Sequence, residues 1–341
     1  MRYGIIGCGR IYRNHAQAAR LLEGVELVGV ADVNEGALTA ASKEWGVPGY
    51  LDYRELVDAG VDAVGVCLPH HLHAQVCVDL AGRGVHVLCE KPMATTLEQA
   101  DRMIEACDRH NVQLGVVFQH RFNENTQLLR QLINSGELGR RVLGTAIFQY
   151  HKAPEDSAYF GWRGSRDLAG GGTLANFGVH TVDVFCWLMG TVTEVRGHVA
   201  TLTMGTEVED TAVAALRFED GALGTVAGTL SSPVEFESRI CVAGTKANAV
   251  LTDSTRLEVQ RADGRRDTHI YEGQFEDPSF QTKAPYGRGH IAVLADFTRA
   301  VREGRPPACD GRSARNTLAV VIAVYEQAHV LAQPAHAGED A

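Results

Sequence analysis

The sequence predicts an α/β protein in two parts: a doubly wound parallel sheet in the first third, then a second α/β region built on a mostly antiparallel sheet. Three observations predict it. Short apolar runs alternate with helical periods from Tyr3 to about Gly115, the pattern of successive βαβ units. A Gly7-x-Gly9 turn joins the first apolar run to the first helical period. After about residue 120 the rhythm changes to alternating runs separated by turns such as Glu219-Asp220-Gly221 and Ala262-Asp263-Gly264.

Taken in order, strands are expected over 3–6, 26–31, 63–67, 85–89 and 113–117, each a short apolar run. Helices are expected between them over 11–22, 35–44, 72–81 and 97–109, the last with Thr95-Thr96-Leu97-Glu98 as a capped start. An amphipathic helix over 123–134 stops at Ser135-Gly136. A strand over 141–150 and a polar loop over 151–167 follow, and Gly170-Gly171-Gly172 opens another helix. From 191 to 271, runs such as 212–218, 223–230 and 238–242 read as an antiparallel meander. Two closing helices, near 290–302 and 312–331, flank Gly304-Arg305-Pro306-Pro307, and the small, polar tail from Gln333 is expected to fray. The expected division is 1–120, 121–332 and a flexible 333–341.

Composition narrows the function classes. A chain of 341 residues exceeds what one core usually fills. A formal net charge of -10 argues against nucleic acid or an anionic membrane as the main partner and suits a neutral or cationic small molecule. The eight cysteines, at 8, 67, 77, 89, 107, 186, 241 and 309, form no C-x-x-C pair and lie in apolar segments, so neither a disulfide framework nor a zinc site is expected. Arg10 interrupts the apolar start, so no signal peptide is read there, and no apolar run is long enough to span a bilayer. The expectation is a cytoplasmic protein with no metal.

The motifs point to a dinucleotide. Gly7 allows a tight turn, and Gly9 lets the backbone, with Arg10 and Ile11 entering the helix, approach a pyrophosphate. Tyr12 stands at the third glycine position, so the fingerprint is incomplete. Asp32 ends the second run, where a carboxylate accepts ribose hydroxyls; Val33 offers no cation for a 2′-phosphate, which favours NAD over NADP. Pro69-His70-His71-Leu72-His73 follows the next strand. Adjacent histidines point apart and no carboxylate completes a set, so the loop reads as a cofactor wall, with His73 capping it or facing the site, and not as a metal cluster.

Two groups carry the chemistry. Glu90-Lys91-Pro92 follows the 85–89 run, at the carboxyl edge of the sheet where ligands of open α/β folds bind. There the Lys91 ammonium would bind the substrate oxygen and stabilise a developing alkoxide; the alternative is a solvated surface lysine. In the stretch Gly170 to Asp183, Asn176 and His180 stand at i and i+4 and share a helix face, with Asp183 nearby at i+3. That polar face on an apolar helix favours a site over a capping or core histidine. Trp162-Arg163 supplies an apolar wall and a fixed charge.

These residues resemble the Gfo/Idh/MocA family of nicotinamide-dependent sugar and cyclitol oxidoreductases. The likeness spans nearly the whole chain: the G-x-G opening, Asp32-Val33-Asn34, Pro69 through His73, Glu90-Lys91-Pro92, Gln119-His120-Arg121-Phe122, and Gly172 through His180. It implies a Rossmann domain followed by an α/β domain whose large, open, mostly antiparallel sheet forms homodimers or homotetramers. It makes Lys91 and His180 the catalytic pair, His180 taking the hydroxyl proton as hydride moves to the nicotinamide. Glu90 and Gln119 join the cofactor set, and Arg121 joins Lys91, Trp162, Arg163, Asn176 and His180 around the substrate. Many members carry aspartate four residues before the histidine; here Asn176 can orient the imidazole but lends it no charge. A branch acting on nucleotide sugars and amino-sugar precursors looks similar, with asparagine and a glycine-histidine pair that Gly289-His290 matches, so Tyr286 and His290 are expected to reach the substrate. The expected activity is NAD-dependent oxidation of a secondary hydroxyl of a sugar, cyclitol or aminosugar to a ketone. Acidic Glu155-Asp156 makes a cationic aminosugar or aminoglycoside worth testing. Transient oxidation by retained NAD, without net redox change, and a non-catalytic cofactor sensor are the alternatives.

Overall fold

The structure, a computed structural model, describes residues 1–152, 161–271 and 284–327, with side chains in the last segment from Gly289 onward. The first sheet comprises β1 (Arg2–Ile6), β2 (Glu26–Ala31), β3 (Gly49–Tyr50), β4 (Ala63–Val66), β5 (His86–Cys89) and β6 (Leu114–Val116). Their order is β3-β2-β1-β4-β5-β6, every pairing parallel. Helices α1 (Tyr12–Leu21), α2 (Glu35–Trp45), α3 (Tyr53–Asp58), α4 (His70–Gly82) and α5 (Leu97–Arg109) connect them. Ile5, Val30, Val64, Val66 and Val87 are fully buried, as a sheet covered on both faces requires, so its strands read as unbroken apolar runs. Strand order reverses between β1 and β4, which opens a crevice at their carboxyl ends.

Beyond β6 a 3₁₀ turn (Gln119–Phe122) leads into α6 (Glu124–Asn134) and the long β7 (Arg141–His151). A short α7 (Arg166–Ala169) and a π turn (Thr173–Gly178) precede α8 (Val179–Met189). Seven further strands follow: β8 (Val192–Ala200), β9 (Thr211–Phe218), β10 (Leu223–Thr229), β11 (Ser231–Gly244), β12 (Ala247–Thr252), β13 (Arg256–Arg261) and β14 (Arg266–Ile270). They form an eight-stranded sheet in the order β14-β13-β12-β11-β7-β10-β9-β8. The expected meander needs one correction: β7 and β10 pair in parallel, Leu143 opposite Leu223, because β7 inserts from earlier in the chain between β10 and β11. Phe148, Phe185 and Phe218 fill the core beneath α8, whereas Leu143, Ile147 and Val213 stand 40–47% exposed on strands of the same sheet.

The closing helices, α9 (Ala284–Glu303) and α10 (Gly311–Gln327), turn back onto the first sheet. Phe297 of α9 lies so close to Gly115 of β6 that a Cβ there would meet its ring at 2.8 Å. The Val116 N–H donates to the Cys309 carbonyl at 2.8 Å. Among the described residues no helix is long and apolar enough to cross a membrane. The expected tail from Gln333, and Glu155-Asp156, lie outside the described residues.

Candidate active site

The crevice is built from strand ends. Gly7 leaves β1 with φ of 97°, and a Cβ there would stand 2.5 Å from the Cys67 carbonyl oxygen, so the turn tolerates only glycine. Space above Gly9 is open, and α1 starts without a side-chain cap or an acidic residue in its first turn. Its N-terminal N–H groups therefore have the exposure and polarity that an anion needs. Asp32 lies beside this turn, its Oδ2 accepting the Cys8 N–H at 2.7 Å and its Oδ1 the Asn34 N–H at 2.7 Å. Val33 is 91% exposed and brings no charge. Arg10 is exposed and Ile11 half-buried at the helix entrance.

Lys91 sits just past β5, joined to Pro92 by a cis peptide bond. Its Nζ donates to the main-chain oxygen of Asn176 at 2.8 Å, so β5 meets the segment leading into α8. Burial lowers the Lys91 ammonium to about 8, Glu90 opposing the shift and Arg163 adding to it. Asn176 lies in the wider π turn and His180 one residue inside α8. Asn176 Nδ2, His180 Nδ1 and Gln119 Oε1 are buried polar atoms without a hydrogen-bond partner. Such atoms are costly unless a ligand satisfies them. Burial, then the Lys91 and His120 charges, hold the His180 imidazole well below its ordinary range, so it is neutral at pH 7.

Other expected residues frame this centre. Pro69 caps α4, and the His70 Nδ1–H donates to the Ala169 carbonyl at 2.8 Å. Trp162 stands edge-on to His70 at 4.6 Å and carries Arg163 over its ring at 4.3 Å. The side chain of Tyr286 lies outside the described residues.

Five residues have partners that the sequence reading did not give. His73 is fully buried, both ring nitrogens facing carbonyl oxygens, of Pro92 at 2.9 Å and Leu68 at 2.8 Å, so it braces the Lys91 loop instead of facing the crevice. Arg121 is buried in a bidentate pair with Asp183, with Nη2–Oδ1 at 2.5 Å and Nε–Oδ2 at 2.7 Å, which commits its charge to the fold. Glu90 and His290 face each other, Oε1 to Nε2 at 3.3 Å, in a buried cluster with His15. The side chain of Asn176 makes no hydrogen bond to His180; its contribution here is the main-chain oxygen that holds Lys91.

Two residues were given no role by the sequence reading, which quoted His120 only as part of a motif. His120 lies 4.8 Å from His180, ring centre to ring centre, and burial lowers it to about 4. Glu209 accepts the N–H groups of Gly172 at 2.8 Å and Leu174 at 3.0 Å, and the Tyr325 hydroxyl at 2.8 Å. It thereby shapes the turn that aims Asn176 and His180. The only sequence signal was an acidic pair, Glu209-Asp210, set against an apolar run.

Known proteins resemble this chain in sequence and fold. A family described as an oxidoreductase family with an NAD-binding Rossmann fold matches residues 1–118, and the GFO/IDH/MocA C-terminal domain matches 126–250. Myo-inositol 2-dehydrogenase of Thermotoga maritima is 29% identical over 332 residues, 93% of each chain. The WlbA dehydrogenase of Bordetella pertussis, crystallised with NADH and UDP-GlcNAcA, superposes with a TM-score of 0.85 at 32% identity, over 96% of this chain and 95% of that one. Its counterpart from Chromobacterium violaceum gives 0.83 at 30% identity, over 96% and 93%.

Proposed function

This chain belongs to the Gfo/Idh/MocA family of NAD-dependent oxidoreductases, and from that premise we propose that it oxidises one secondary hydroxyl of a sugar or aminosugar to a ketone. The observation that carries the reading is the Lys91–Asn176–His180 cluster at the end of β5: a part-buried ammonium beside a neutral imidazole whose buried Nδ1 has no hydrogen-bond partner. Bound NAD supplies the hydride acceptor, and Gly7, Gly9, Arg10, Ile11, Asp32 and Gln119 are the residues placed to hold it. Lys91 binds the substrate oxygen and offsets the negative charge that grows on it. His180 takes the hydroxyl proton. Asn176 holds Lys91 through its carbonyl and offers an amide to the substrate. Trp162 gives a flat apolar wall, and Arg163 a fixed charge for an anionic substituent.

Asparagine at 176 and the likeness to a dehydrogenase crystallised with UDP-GlcNAcA favour a sugar bearing an amino or nucleotide group over an inositol. A panel of inositols, free sugars, sugar phosphates, nucleotide sugars and aminoglycosides, followed by NADH absorbance, tests this. Turnover confined to inositols would overturn the preference. On the substrate found, Lys91→Met is expected to lower kcat roughly a hundredfold while NAD affinity holds; wild-type turnover would remove Lys91 from the chemistry. The exposed apolar residues of the second sheet support a homodimer or homotetramer through that face. Eight free thiols suit the reducing cytoplasm.

A further inference from the structure

Glu90, His15 and His290 come from three distant stretches: the end of β5, the middle of α1 and the returning α9. Glu90 Oε1 lies 3.1 Å from His15 Nε2 and 3.3 Å from His290 Nε2, and its Oε2 accepts the Lys91 N–H at 3.2 Å. The Tyr3 hydroxyl lies 2.8 Å from His15 Nδ1. All four side chains are 6% exposed or less. A buried carboxylate accepts, so each Nε2 carries the proton; His15 Nδ1 is then the acceptor and Tyr3 the donor. The three groups have metal-ligand chemistry, but both Nε2 atoms converge on one carboxylate oxygen, as proton donors do.

Burial alone would drive the Glu90 proton on, yet the two imidazole donors hold the carboxyl well below its usual range. The anion is therefore kept inside the fold by two imidazole N–H donors. Lys91 is the beneficiary. The other titratable and charged groups that face it are Arg163 from the 162–164 turn, His70 from α4, His120 from the 3₁₀ turn and His180 from α8. Each of these is cationic when charged. Only Glu90, among these groups, favours a charged Lys91.

We propose that Glu90 is a positioning residue, whose carboxylate, clamped by His15 and His290, fixes the Lys91 main chain and keeps its ammonium charged for the oxidation step. The inference rests on the reading of Lys91 as the group that acts on the substrate oxygen. It also means that the charge of Lys91 depends on α1 and α9 closing against each other, since each contributes one imidazole.

The test separates the two readings. The chain has five lysines, Lys43, Lys91, Lys152, Lys246 and Lys283, so ¹³C-methyl NMR after reductive methylation resolves Lys91, assigned with Lys91→Arg. Its titration is followed in wild type, Glu90→Gln, His15→Gln and His290→Gln, beside the alkaline limb of kcat. Activity needs the ammonium, so it falls as pH rises through the Lys91 titration. Glu90→Gln should move that titration, and the limb with it, to lower pH by about one unit or more. The histidine variants should shift both less, and they carry the test if Glu90→Gln fails to fold. A shifted Lys91 titration with an unmoved limb upholds the role of Glu90 and overturns that of Lys91. An unshifted titration in variants that keep the wild-type circular dichroism overturns the inference.

Discussion

Replacing Asp183 with asparagine should cost about 3–5 kcal/mol of stability, because it leaves a buried guanidinium without its counter-charge. The magnitude follows from the contacts. Arg121 is 4% exposed and Asp183 1%. The carboxylate accepts Arg121 Nε at 2.7 Å, Arg121 Nη2 at 2.5 Å and the Thr317 hydroxyl at 2.8 Å. Asparagine has the same shape but turns an NH₂ group toward one guanidinium N–H, so one charge-assisted bond is lost outright and the other weakens. At about 1.5–3 kcal/mol each, two such bonds reach the same range. For 341 residues, at roughly 2.1 cal/mol/K of unfolding entropy per residue, that lowers Tm by about 4–7 °C. Thermal unfolding by circular dichroism, run beside steady-state kinetics, reads both properties. The double variant Arg121→Met/Asp183→Leu, which buries no lone charge, should recover part of the loss. An unchanged Tm with a raised substrate KM would show that Arg121 binds substrate, as the sequence suggested, and would refute the structural assignment.

The Asp32 carboxylate should repel a 2′-phosphate, giving NAD at least a tenfold advantage in kcat/KM, or about 1.4 kcal/mol; equal turnover with NADP would exclude that role. As general base His180 must be neutral, so activity in the oxidation direction falls as pH drops through its pKa. Burial and the Lys91 and His120 charges place that acid limb below the ordinary imidazole value of 6.5. Asn176→Asp adds a carboxylate beside it and should move the limb to higher pH, whereas a limb that stays in place, and persists in His180→Ala, would assign the proton to another group. Glu209→Gln should lose about 2–3 kcal/mol in urea unfolding and lower kcat more than it changes NAD binding, since it loosens the turn at Gly172 and Leu174. Stability and kcat both at wild-type levels would show that Glu209 does not shape the site.

The first sheet was legible because both its faces are buried, so strands such as β4 and β5 appear as unbroken apolar runs at βαβ spacing. β3 and α3 were not, being two and six residues long, too short for a period to emerge. The parallel β7–β10 pair was hidden because alternation shows that a strand has two faces, not which neighbour it takes. At the site, Lys91 and Asn176 were readable from local motif and position, and the structure does bring them together. What misled was side chains whose partners lie far off in sequence. Arg121 resembled a free cation until Asp183, 62 residues away, claimed it. His290, expected at the substrate, has Glu90, 200 residues away, as a partner that no local motif announces. Glu209 is the converse: an acidic residue beside an apolar strand, whose task is set by backbone N–H groups that no side-chain pattern records.

The return of α9 bears on how the protein is made. Val293, Leu294 and Phe297 sit in one cluster with Tyr3, Ile5, Tyr12 and Val30, all 3% exposed or less. A ribosome releases every strand of the cofactor sheet long before it reaches these residues, with the whole eight-stranded sheet between. Until then the β1–β6 unit presents an open apolar side, a surface prone to aggregation. The chain is therefore expected to fold late in synthesis, and a fragment that ends near residue 120 should be insoluble even though it holds the complete glycine-rich turn. Cutting the gene at the boundary the motifs suggest would remove the lid of the first core.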